Sequence, residues 1–243
     1  MGPRYPRHQI TGSMKTADIL DLSARDRGVA TLVGAVAVAV AGAVLLPFQQ
    51  FGPLSVHMVL HIALMNVVAP LVVVGLSGHL LEALPRISAV LLWSVTIGQL
   101  ALLWASHSPP IHHAAQSSPP ALVTLHAALF VASLAFWICI IAASSPWQAM
   151  LALLISGKFA CLLGALLIFA PRLLFESSAL QHGAHAMLFG DVTLSDQHLA
   201  GLLMVAACPL SYVLTAIVLA AQTTSGLERS HSPAFSSGRN AGR

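Results

Sequence analysis

Charge is scarce in this sequence. Only 8% of its 243 residues are Asp, Glu, Lys or Arg, while 57% are hydrophobic. A soluble domain carries roughly 25% charged residues. There is too little charge here to cover a water-facing surface, so the chain reads as a bilayer protein. Cysteine is scarce as well. Cys139, Cys161 and Cys208 each lie in an apolar run with no CxxC pair, which excludes a disulfide framework and leaves small buried fillers. The opening "MGPRYPRHQITGS" has no apolar core, so it is not a signal peptide. Residues 1–13 could be an expression scar, and His8 is set aside with them. No serine-protease constellation, phosphate loop, carboxylate pair or internal repeat is visible, and the chain reads as a non-enzyme. Its net charge of +3 does not point to nucleic acid, because the basic residues gather at the termini.

What is present is a series of long apolar runs, near 28–46, 54–76, 88–106, 120–143, 148–171 and 197–221. Each approaches the roughly 20 residues that span the hydrocarbon as a helix. The breaks between them are polar or Pro-rich, as in "PFQQFGP" and "HSPPIHHAAQSSPP". The expected fold is therefore an all-α integral membrane bundle of six helices over 28–221. A cytoplasmic tail would cover 1–27, and a disordered cytoplasmic tail 222–243.

Orientation follows from the basic residues. With the N-terminus inside, Arg4, Arg7, Lys15, Arg25, Arg27, Arg86, Arg229, Arg239 and Arg243 are cytoplasmic, and only Arg172 is outside. That asymmetry is a strong positive-inside signal, and it puts both termini in the cytoplasm. It also sorts the histidines. His57, His61, His126 and His198 fall near the outer ends of three spans, and the outer loops carry His107, His112, His113, His182 and His185.

The stretch "SVHMVLHIALMNVVAP" concentrates the chemistry. His57, His61 and Met65, at i, i+4 and i+8, share one helical face, with Met58 beside them. Imidazole and thioether together suit copper, the thioether favouring Cu(I) over Cu(II). Two ligands hold a metal poorly, so His126 or His198 would complete the site. The plainer reading is a set of interhelical hydrogen bonds, with the methionines as packing. The histidine-rich loop after His107 could capture metal at the surface or be merely polar. Asp196 could cap the last helix, ligate metal or orient a histidine, the cap being preferred. Lys158, mid-span, should face the bundle interior, with Asn66 a partner at similar depth.

These residues resemble the CtaG family of caa3-type cytochrome c oxidase assembly factors. "VHMVLHIALMNVVAPLVVVG", with a turn expected at Ala69–Pro70, is similar to that family's helix 2. "LHAALFVASLAFW" is similar to its helix 4, with His126 and Trp137. "GALLIFAPRLL" and "LSDQHLAGLLM", with Asp196, Gln197 and Gly201, are similar to its later helices. The family commonly has seven spans. The resemblance implies a bacterial inner-membrane protein that partners oxidase subunits or other assembly factors and takes part in copper delivery, with His57, His61 and His126 as metal-site positions. Two other functions stay open on the residues themselves: a b-type haem protein using His61 and His126 as axial ligands, and a metal transporter.

Overall fold

The computed structural model describes residues 52–83, 85–116, 118–175 and 193–231, and among these the chain is helical. Helix α1 (Pro53–Ile62) opens on a proline, whose missing N–H costs nothing in a first turn. It runs without a break through a π-helical segment, Ala63–Val68, into α2 (Ala69–Ala83). Then come α3 (Ala89–Ser106), the short α4 (Pro109–Gln116), α5 (Pro119–Ile141), α6 (Pro146–Phe169) and α7 (Leu194–His231). Hydroxyls mark the starts of α3, α5 and α7. Ser88 Oγ accepts from the Leu91 N–H, Ser118 Oγ from Ala121 and Thr193 Oγ1 from Asp196.

Five stretches are long and apolar enough to cross a bilayer: Pro53–Leu76, Ala89–Ser106, Pro119–Ile141, Pro146–Phe169 and Leu194–Ser225. They correspond to the second through sixth expected spans. The expected span at 28–46 lies outside the described residues, as do His182 and His185. The last helix continues to His231, past the expected start of a disordered tail at 222.

The turn expected at Ala69–Pro70 is absent, because the helix changes pitch there instead. The Ala69 N–H reaches back five residues to the Leu64 carbonyl. In that register the next carbonyl, Met65 O, would need the nitrogen of Pro70, which has no hydrogen. Two side chains of α5 supply the donors, Ser133 Oγ at 2.9 Å and Trp137 Nε1 at 3.0 Å. A π-segment of this kind costs helix hydrogen bonds and often sits beside a functional site.

Helices α6 and α7 approach most closely where glycine faces backbone. A methyl group on Gly164 would stand 2.9 Å from Gly201 O, and one on Gly201 would stand 2.7 Å from Gly164 O. Lipid is as apolar as leucine, so membrane helices associate through such close packing rather than through water exclusion. At one end of the bundle Ile87 N–H donates to Ala142 O and Ser144 N–H to Ile87 O, clasping two connections. Above this lies a core around Phe136, Trp137 and Tyr212. A second core, with Leu54, Met58, Met65, Leu129, Met204 and Cys208, lies toward the other end.

Candidate metal-binding site

At that other end, α1, α5 and α7 begin while α3 and α6 finish, and five histidines meet. His57 and His61 come from α1, His107 caps the C-terminus of α3, His112 lies on α4 and His126 on α5. All are buried, with exposures of 6%, 2%, 7%, 6% and 9% respectively. The His57 ring is the hub. Its centroid is 6.1 Å from His61, 6.2 Å from His107, 5.5 Å from His112 and 4.7 Å from His126. His61 and His107 are 5.3 Å apart.

Backbone carbonyls fix two of these rings. His126 Nδ1 lies 2.9 Å from Leu122 O, and His107 Nδ1 lies 2.7 Å from Leu103 O. A carbonyl can only accept, so Nδ1 carries the proton in both and Nε2 presents a lone pair. His107 Nε2 faces the Met58 sulfur at 3.4 Å. Met58 is fully buried. Among the described residues His57 Nε2, both nitrogens of His61 and His126 Nε2 have no hydrogen-bond partner. Buried polar atoms are normally paired, and leaving one bare costs about 1–3 kcal/mol. Outside the spans, burial pushes the His112 imidazole down to about 4, with His107 and His113 adding to the effect. Burial lowers His107 too, against an opposing pull from its bond to the Leu103 carbonyl.

A carboxylate holds the frame. Asp196, at the start of α7, accepts the N–H groups of Leu54 at 2.9 Å and Ser55 at 3.0 Å, together with the Ser55 hydroxyl. These are first-turn donors of α1, which no residue of α1 itself caps. Gly52 is required beside it, since a methyl group there would run into the carboxylate. Gln197 spans α7 and the end of α6. Its amide donates to Leu167 O and Arg172 O and accepts from the Leu174 N–H. The adjoining Phe175 ring packs on His112, with centroids 4.5 Å apart.

Residues 21–225 match the family model described as cytochrome c oxidase caa3 assembly factor. The chain belongs to that family. No curated protein and no solved structure matches it.

In this caa3 assembly factor the structure brings together only part of the residue set expected from sequence. His57, His61, His126 and Met58 converge. His198 is half-buried on α7 and takes part in none of the ring pairs. Asp196 points its carboxylate at α1 backbone rather than at the imidazoles, and so caps a helix other than its own. Met65 is buried in the apolar core below, where its carbonyl, not its sulfur, carries the specific contacts. Lys158 is exposed on the outside of α6, whereas Asn66 is buried, so the expected interior-facing lysine beside Asn66 is not what the fold builds. The reason is the α6–α7 crossing. Small residues, Gly157, Ala160 and Gly164, take the inner face and turn Lys158 outward.

His107 and His112 take the place expected for His198. They sit in the segment read as a loop, where His107 closes α3 and Pro109–Gln116, with His112, forms the helix α4. Its signal was available: Pro109–Pro110 behind Ser108 is a proline-led helix start, with His112 N–H reaching Ser108 O at 3.0 Å.

Proposed function

We propose that this assembly factor binds copper among His57, His61, His107, His112 and His126, with Met58 as a soft ligand, and assists metallation of cytochrome c oxidase. The observation that carries the reading is the set of buried imidazole nitrogens without partners, beside a thioether that offers no hydrogen. A cation answers lone pairs that no protein donor answers. Imidazoles bound to one ion at about 2.0–2.1 Å would have centroids about 5 Å apart in a tetrahedral arrangement, and the observed 4.7–6.2 Å brackets that value. Among the described residues no group of three or more His, Cys, Asp or Glu side chains stands in finished ligating geometry. Binding therefore requires the cluster to adjust around the ion. Neutral imidazoles and a thioether favour Cu(I). The positive-inside asymmetry supports placing this end at the outer face and both termini in the cytoplasm.

Cu(I) titration of the full-length protein in detergent tests the proposal. His57→Ala/His61→Ala should lose stoichiometric copper, while His198→Ala should retain it. Equal copper binding in all three proteins would overturn the reading.

A further inference from the structure

Helix α6 presents to the outside a stripe in which Leu151, Leu154, Lys158, Leu162, Leu166 and Phe169 recur every three or four residues, the leucines and Phe169 each 48% exposed or more. Lys158 stands in the middle of that stripe and is itself exposed. Among the described residues no carboxylate or hydrogen-bond acceptor meets it. It lies about 18 Å along the helix from Pro146 and about 17 Å from Phe169 at 1.5 Å per residue. A lysine that snorkels about 6 Å still ends roughly 10 Å short of either helix end. A charge held at that depth against lipid is expensive and marks a functional position.

We infer that this face of α6 docks a transmembrane helix of a different protein, one bearing an Asp or Glu near its midpoint. Charge complementarity selects the occupant. The chain has eight acidic residues: Asp18, Asp21, Asp26, Glu82, Glu176, Asp191, Asp196 and Glu228. None lies mid-span in the five described spans, and none lies in the apolar run 28–46. Asp196 begins α7 and is already committed to α1. A second copy therefore has no carboxylate to offer Lys158 and would bring lysine against lysine or leucine. The flanking leucines supply the apolar, i/i+3/i+4/i+7 contact surface by which helices seat on one another.

The test uses the full-length chain in its native membrane, with a photo-crosslinking amino acid at position 154 or 162 and the joined peptides read by mass spectrometry. The expected product is one membrane span with Asp or Glu near its middle. Lys158→Glu should lower the yield at least about tenfold, as removing one member of a buried charge pair does. Exchanging the partner's acid for lysine should restore it. Lys158→Met, which eases membrane insertion, should lose the crosslink as well, while Lys158→Arg should keep it. Crosslinks only to lipid, to a second copy or to a span without an acid would overturn the inference, as would full yield in Lys158→Met. None of these readouts involves copper, so the outcome is separate from that of the proposed copper site.

Discussion

The Met58 sulfur and His107 Nε2 stand 3.4 Å apart, and neither has a proton to give the other once His107 Nδ1 is committed to the Leu103 carbonyl. A metal–nitrogen bond of about 2.05 Å and a metal–sulfur bond of about 2.3 Å at a tetrahedral angle would separate these atoms by about 3.5 Å. Met58→Leu, close in volume, should leave the fold intact. It should weaken Cu(I) binding by about tenfold or more while changing Zn(II) binding little, because thioether selects the softer ion. Competition titrations with both metals check this, and equal losses would remove Met58 from the ligand set.

Asp196→Ala strips the cap from α1 and bares the Leu54 and Ser55 N–H groups. A loss of about 1–3 kcal/mol is expected, seen as a lower melting temperature in detergent. Gly52→Ala should act in the same direction by pushing the carboxylate away. An unchanged melting temperature in both would show that the latch adds nothing.

Ser133 and Trp137 share one acceptor, Met65 O. Ser133→Ala or Trp137→Phe alone leaves that carbonyl one donor. The double variant leaves it none, so its destabilisation should exceed the sum of the two singles. Contacting residues commonly couple by about 0.5–3 kcal/mol. Strict additivity in a double-mutant cycle would contradict the shared role.

Acid should destabilise the metal-free protein in a defined window. Burial holds His112 at about 4, below its ordinary 6.5. Between those values the unfolded chain binds more protons than the folded one. The stability this group contributes is complete above about 6.5 and is lost as pH falls toward about 4. Melting temperatures from pH 7.5 down to 4.5 should fall below about 6.5, and His112→Gln should flatten the slope.

Much of the fold was legible because bilayer thickness dictates helix length. The five described spans start and stop within a few residues of the apolar runs and their Pro- and Ser-bearing breaks. His57 and His61 were legible because i, i+4 places two rings on one face. His126 was legible as well, at matching depth on a neighbouring span. What could not be read was that His107 and His112, rather than His198, stand with them, because the rotation of α7, set where Gly164 meets Gly201, is not written in local patterns. Lys158 was misread for the same reason. Mid-span polarity usually turns inward, but the inner face of α6 was already taken by the small residues that allow the crossing. Asp196 was read as a cap for its own helix, but Thr193 fills that place and Asp196 caps α1, far away in sequence, which local patterns do not reveal.

The Asp196 latch also sets an order of events. It joins Leu54 to a residue 142 positions later in the chain. Chains are made from the N-terminus and fold as they emerge, so the first turn of α1, just ahead of His57, lacks this cap until Asp196 at the start of the last span has been made. Among the described spans, the frame of the histidine pocket is thus completed only with the last one. A chain stopped before α7 would hold His57, His61, His107, His112 and His126 yet lack the carboxylate that sets α1 in place.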